Sequence, residues 1–138
     1  MRFTIPGEPC GKARPRVVRN GAFSHAFTPE KTINYENLIK VQYQQSCGSV
    51  FFASEALEMR VTAYYAIPAS ASKRKAAAMM CGAIRPTKKP DCDNVIKIIG
   101  DALNQVAYKD DSQIVCVYFE KKYAAIPKVE VELQVIGG

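Results

Sequence analysis

The stretch Lys88–Ile114, KKPDCDNVIKIIGDALNQVAYKDDSQI, holds the side chains best suited to chemistry. Asp91 and Asp93 stand two apart, Lys97 follows one helical turn later, and Asp111 closes the pair Asp110-Asp111. Carboxylate oxygens are the preferred ligands of a hard cation such as Mg2+, which keeps water and substrate phosphate in its remaining positions. Three carboxylates at one place repel each other and need such a cation to coexist. A bound ion, or a pair, can generate hydroxide, align it and stabilise a leaving oxygen, which are the services phosphodiester hydrolysis needs. Lys97 on the same face would neutralise charge building on the phosphate. The donor types therefore point to magnesium, or manganese, at Asp91 and Asp93, with the Asp110-Asp111 pair able to fold back toward the same site.

The elements that must position these groups can be read from the same stretch. Lys89 precedes Pro90 and is pushed out of helical geometry, so Asp91 and Asp93 fall at a loop-to-helix or strand-to-helix junction. Residues two apart in an extended segment point the same way, and a helix N-terminus favours phosphate oxygens. From Asp93 to Val106 the pattern has helical period. Val95, Ile99, Ala102, Leu103 and Val106 fall on one side, and Asp93, Lys97, Asp101 and Asn104 on the other. Asp110-Asp111 reads as a turn into a strand from Gln113. A helix of about 20 Å separates it from Asp91. Convergence requires a fold that lays the incoming and outgoing segments side by side.

Elsewhere the chain alternates strand and helix signals. Arg2–Pro6 reads as a first strand. Arg14–Arg19 and Ala22–Thr28 flank Asn20-Gly21 as a hairpin. Thr28-Pro29-Glu30 reads as a helix start, with Thr28 as cap and Pro29 as the first helical residue. That helix runs to Cys47 and stops at Gly48, burying Ile33, Leu38, Ile39 and Tyr43. Leu57, Met59, Val61, Ala63 and Tyr65 have the period of a half-buried strand. Ser70–Cys81 reads as a helix ending at Gly82, Gln113–Tyr123 as a strand, and Val129, Val131, Leu133 and Val135 as the inner face of the last one. The expected class is α+β, a single domain over residues 1–138 with a mixed sheet packed by helices.

Composition narrows the classes. A chain of 138 residues with 48% apolar side chains suits one packed core. The formal charge of +6, from 19 basic and 13 acidic residues, fits a polyanionic partner as well as a merely basic protein. Five cysteines at irregular spacing and a lone His25 do not make a structural zinc cluster. Free thiols, several as small core residues, in a reducing cytoplasm are expected. The N-terminal stretch has no signal-peptide pattern, and no apolar run spans a membrane.

Less eventful readings stand beside the catalytic one. Asp-x-Asp also occurs in calcium loops, haloacid-dehalogenase-type phosphatases and sugar-nucleotide transferases. A calcium loop from Asp91 would want Gly at its sixth position and Glu at its twelfth, where Ile96 and Ala102 stand. The other two need a larger α/β domain. Asp93 also reads as a helix cap. Lys97 and Asp101 read either as a surface pair or as functional. Arg14 and Arg16 read as phosphate contacts or as a solvated edge, and the run Lys73–Lys75 as solvated. His25 has no expected catalytic role.

The ordered set Asp91-x-Asp93-Asn94, Lys97, Asp101-Ala102-Leu103 and Asp110-Asp111-Ser112-Gln113 resembles the RusA family of Holliday junction resolvases. Gly11-Lys12-Ala13-Arg14-Pro15-Arg16 resembles the basic element of phage and Gram-positive-type members. Phe27-Thr28-Pro29 with Tyr35-Glu36 resembles the start of their first helix. Pro90 departs from members that carry arginine there; Lys88 and Lys89 stand just ahead of it. The resemblance implies a homodimeric, RusA-like domain that cuts four-way or branched DNA, leaving 5′-phosphate and 3′-hydroxyl ends. It implies metal ligands Asp91, Asp93 and Asp111, a catalytic Lys97, and DNA contacts from Lys12, Arg14, Arg16, Lys88 and Lys89. A non-catalytic branched-DNA-binding protein with a structural ion is the alternative, and a small metal-dependent phosphatase a third reading.

Overall fold

In the computed structural model the described residues are 1–13, 16–20, 23–27 and 29–137, with backbone alone described in 16–20 and 23–27. The order is β1 (Arg2–Pro6), β2 (Arg16–Asn20), β3 (Phe23–Phe27), α1 (Glu30–Cys47), β4 (Leu57–Ala66), α2 (Lys73–Met80), α3 (Cys92–Leu103), β5 (Ile114–Ala124) and β6 (Lys128–Val135). β1, β6, β4 and β5 form one sheet in that spatial order, antiparallel except for the parallel pair β4–β5. The fold is thus α+β with a mixed four-stranded sheet and three helices. Parallel neighbours need a crossover connection, and α2 and α3 lie within it. β2 and β3 form a separate hairpin with Asn20 opposite Phe23. Asn20 therefore lies in the ladder, and the connecting Gly21 and Ala22 are outside the described residues.

Alternation along the strands sorts side chains to two faces. Phe3, Val131 and Val61 stand in one cross-strand row, and Ile5, Val129 and Ala63 in the next. All six are buried. α1 covers this face with Tyr35, Ile39, Tyr43 and Cys47, and α3 with Val95, Ile98, Ile99, Ala102 and Leu103. The opposite face is polar: Arg2 pairs with Glu132 at 2.9 Å and Arg60 with Glu58 at 2.9 Å. No helix among the described residues is long and apolar enough to cross a membrane.

Several boundaries differ from the sequence reading. Pro29, at ψ 144, caps α1 from outside rather than starting it, and Thr28 lies outside the described residues. Ile33 is 45% exposed and Leu38 half-buried, because the buried stripe runs through Thr32, Tyr35, Ile39, Tyr43 and Cys47. α3 ends at Leu103 rather than Val106. Asn104 leaves helical geometry, and Gln105 takes a left-handed φ of 65° with its N–H donated to the Tyr108 carbonyl at 2.8 Å. α2 spans Lys73–Met80, inside the expected Ser70–Cys81. All five cysteines are free thiols, but only Cys47 is buried.

Truncating Ile39 to Ala should destabilise the fold by about 2–5 kcal/mol, whereas Ile33→Ala should stay within about 0.5. Urea unfolding of both variants checks this; equal losses would contradict the burial assignment.

Candidate active site

α3 forms where a helix can start after a proline: Pro90 precedes Asp91, which caps the helix in extended geometry (φ −70°, ψ 155°) with Cys92 as its first residue. Asp91 and Asp93 therefore do not share one extended segment, as the sequence suggested; Asp93 sits in the first helical turn. The Asp91 side chain makes no capping hydrogen bond. Its carboxylate is left to face a cavity of about 690 Å3 that Lys12, Lys31, Lys88, Lys89 and Asn94 also line. Asp93 faces a second groove, about 320 Å3, lined with Lys97, Gly100, Asp111, Ile96, Ile114 and Val117.

Asp111 reaches that groove because the chain reverses after α3. Asn104 Oδ1 accepts the Asp111 N–H at 2.8 Å, and the Tyr108 hydroxyl donates to the Gly100 carbonyl at 2.7 Å. The Asp111 carboxylate then lies over Gly100, where a Cβ would meet its Oδ2 at 3.7 Å. Burial, then the carboxylates of Asp111, Asp101 and Asp110, push the Tyr108 phenol well above its ordinary pKa and keep it a proton donor. Gln113 fastens the turn from both ends of its amide. Its Oε1 accepts the Lys109 and Asp110 N–H groups at 3.0 and 3.1 Å, and its Nε2 donates to Phe52 O and Glu55 O at 2.9 and 3.2 Å. Asp110 completes a capping box by accepting the Ser112 N–H at 3.3 Å. The Ser112 hydroxyl and amide hold its carboxyl below the usual range. The adjacent acids thus divide: Asp110 caps the turn and Asp111 faces the groove.

The N-terminal element is seated against the start of α3. Lys12 donates its backbone N–H to Asn94 O at 3.0 Å. Gly11 lies so close that a Cβ would stand 2.9 Å from Pro90 Cβ and 3.0 Å from Asn94 Cβ, so a larger residue must push the segment off. The Lys12 ammonium, expected to meet DNA, is engaged by Glu36 at 3.2 Å and Asp101 at 3.4 Å and is only 24% exposed. Burial works to lower its pKa; the two carboxylates outweigh that and leave it raised. Asp101 also pairs with Lys97 at 3.3 Å, so Glu36, Lys12, Asp101 and Lys97 form one chain of alternating charge. Tyr65 donates to Pro90 O at 3.0 Å, with the ammonium groups of Lys88 and Lys121 5.7 and 5.5 Å from its ring centroid.

The fold brings Asp93, Lys97 and Asp111 onto one groove and sets Asp91, Lys88 and Lys89 on a separate basic cavity. Among the described residues no three Asp, Glu, His or Cys side chains stand as a ready metal cage. Asp93 and Gly100 are seven residues apart, about 10 Å along the helix. The acids form a row down α3. Arg14 lies outside the described residues, and Arg16 is placed only by its backbone at the start of β2. Gly100, Tyr108 and the Glu36–Lys12 pair were missed from sequence. A mid-helix glycine costs about 1 kcal/mol against alanine, and that cost was the available signal at Gly100.

The sequence matches a nuclease family. The family model described as Endodeoxyribonuclease RusA covers residues 6–134, and the chain belongs to that family. It is also 36% identical, over 140 residues, to Uncharacterized protein YqaN of Bacillus subtilis (strain 168), covering 99% of this chain and 97% of that one.

Gln113→Ala removes four hydrogen bonds and should cost about 1–3 kcal/mol in urea unfolding; a loss within about 0.5 would contradict its fastening role. A pH effect follows from Tyr65, whose hydroxyl is pushed up to about 12 by burial and then by the Glu8 and Asp91 carboxylates. The folded chain keeps this proton after the unfolded chain begins to lose it near the ordinary tyrosine value of 10.0. The contribution is therefore full below that pH and falls away as pH rises toward 12. Tyr65→Phe should flatten the alkaline limb of the stability curve; an unchanged slope would show that other groups set it.

Proposed function

We propose that this chain is a magnesium-dependent endodeoxyribonuclease that resolves four-way and other branched DNA by paired phosphodiester hydrolysis. The observation that carries this reading is the groove shared by Asp93, Lys97 and Asp111, with Asp91, two residues before Asp93, on a basic cavity. The donor chemistry fits magnesium: three hard carboxylates, with Asp91 free of capping and Asp110 taking the turn's structural bonds in place of Asp111. Asp91, Asp93 and Asp111, which form no ready cage among the described residues, would have to draw together to hold the ion, and manganese can replace it. When bound, it supplies Lewis acidity and lowers the pKa of water.

The chain's own groups account for the rest. Lys88 and Lys89, ahead of Asp91, draw the phosphate backbone toward the carboxylates. Asp101 keeps Lys97, 60% exposed, over the groove, where it balances charge developing on the phosphate. Lys12 holds Asp101 in place and seats the element that leads to Arg14 and Arg16, both proposed DNA contacts. Ile96, Ile114 and Val117 give the groove an apolar lining beside the acids.

A four-way junction offers two equivalent strands, so a two-fold homodimer with two grooves matches it. Val115 is 63% exposed on β5, whose outer edge has no partner strand among the described residues. Such an apolar edge suits a second copy. The five free thiols suit a reducing cytoplasm, and residues 1–138 act as one domain.

A labelled synthetic four-way junction, incubated with and without magnesium and mapped strand by strand, tests the reading. Paired cuts that need the metal are expected. Asp93→Asn and Asp111→Asn should each lower cleavage by 100-fold or more, about 2.7 kcal/mol or more of barrier, while junction binding persists. Unchanged cleavage in these variants would remove the site. Binding without cleavage by the unaltered chain would favour the non-catalytic alternative.

A further inference from the structure

The chain's charge is gathered in one connection. Residues 67–90, between β4 and α3, contain Lys73, Arg74, Lys75, Arg85, Lys88 and Lys89 and no carboxylate. That equals the whole formal excess of +6, so the rest of the chain is balanced. Half of these cations sit on α2, a helix that buries none of its residues. Eight residues do not sustain a helix alone in water. Lys73, Arg74 and Lys75 also fill its first turn, where the helix dipole opposes positive charge. Among the described residues, none of the three takes part in an ion pair, whereas Arg85 does. Neither packing nor local electrostatics explains the run; a bound polyanion would relieve both costs.

The connection is tied to the elements that carry the acids. Arg85 pairs with Glu120 of β5 at 3.2 Å and donates to Lys121 O at 3.0 Å, and Lys121 Nζ donates to Lys88 O at 2.8 Å. α2 is thereby fixed beside β5, the strand that starts after Asp111, on the segment that runs directly into Asp91. Consecutive helical residues point about 100° apart. Lys73, Arg74 and Lys75 therefore fan outward instead of converging on one small anion, as suits an extended row of phosphates.

We propose that α2 is a docking element for the phosphate backbone of a duplex arm flanking the cut strand. The proposal rests on the branched-DNA reading above. Lys73, Arg74 and Lys75 supply sequence-independent contacts to the arm, while Lys88 and Lys89 serve the strand at the acids. α2 sets how much flanking duplex the protein grips, not the rate of the chemical step.

The test is fluorescence anisotropy, without divalent metal and over a range of salt, on four-way junctions with long and with short arms. The full chain is compared with K73Q/R74Q/K75Q, in which glutamine keeps helix propensity. On long arms the variant's plot of log affinity against log salt should be shallower by about 2–3, at about 0.9 per lost phosphate contact. Short arms should bind with little change. Lys75→Glu alone should weaken long-arm binding in the same direction, and Arg2→Gln on the opposite sheet face should leave the slope unaltered. Melting temperatures should agree, because the side chains of Lys73, Arg74 and Lys75 are exposed. An unchanged slope on long arms, or equal losses on both substrates, would overturn the proposal. Cleavage with magnesium, run in parallel, separates the two readings: an unaltered chain that binds junctions but never cuts them ends the nuclease reading and leaves the arm standing.

Discussion

The site depends on one chain reversal. α3 stops at Leu103, the backbone turns through a left-handed Gln105, and Asp111 comes back against Gly100. Two hydrogen bonds fix that return, from the Asp111 N–H to Asn104 and from the Tyr108 hydroxyl to the Gly100 carbonyl. The second is fully buried, so losing it would leave an unpaired carbonyl in the core. Glycine at position 100 gives the returning carboxylate room; a side chain beyond a methyl would compete for its place. The reversal is what brings two acids eighteen residues apart in sequence onto the same groove.

Around that reversal the fold separates groups that hold structure from groups left free for a ligand. Asp110 and Gln113 satisfy the turn's backbone donors. Lys12, Glu36 and Asp101 neutralise one another between α1, α3 and the N-terminal element, and in doing so orient Lys97. The basic surplus stays outside this balanced interior, in the connection before Asp91. Free carboxylates in a row, a positioned lysine beside them and a basic approach are the parts a metal-assisted attack on a phosphodiester requires. They are carried by α3, the turn that returns after it and the connection ahead of Asp91, over a sheet whose other face is charged but balanced.

Much of this was legible in the sequence because periodicity and local turn chemistry dictate it. β4 and β6 followed their alternation, α1 stopped at its glycine, and the Asp91–Asp93–Lys97–Asp111 set stood out through spacing and family resemblance. Ile33 misled because an apolar residue one position off the buried stripe looks equivalent in a sequence window. The length of α3 misled because Val106 keeps the apolar period while the backbone has already reversed. Asp91 and Asp93 were read as neighbours on an extended segment, but the helix begins between them. The Lys12–Asp101 pair joins residues 89 positions apart, a contact created by the seating of the N-terminal element against α3. The weakness of α2 was invisible because its run of alanines reads as a good helix.

Manganese titration of the isotopically labelled protein, followed through paramagnetic broadening of backbone amide signals, tests the central claim most directly: that the returning Asp111 and the start of α3 make one divalent-ion site. The account predicts that the amides of Asp91, Asp93 and Asp111 broaden together at the same metal concentration, and that Asp111→Asn weakens the effect at both segments. Broadening confined to one segment, or centred on other acids such as Glu120 and Glu130, would contradict it.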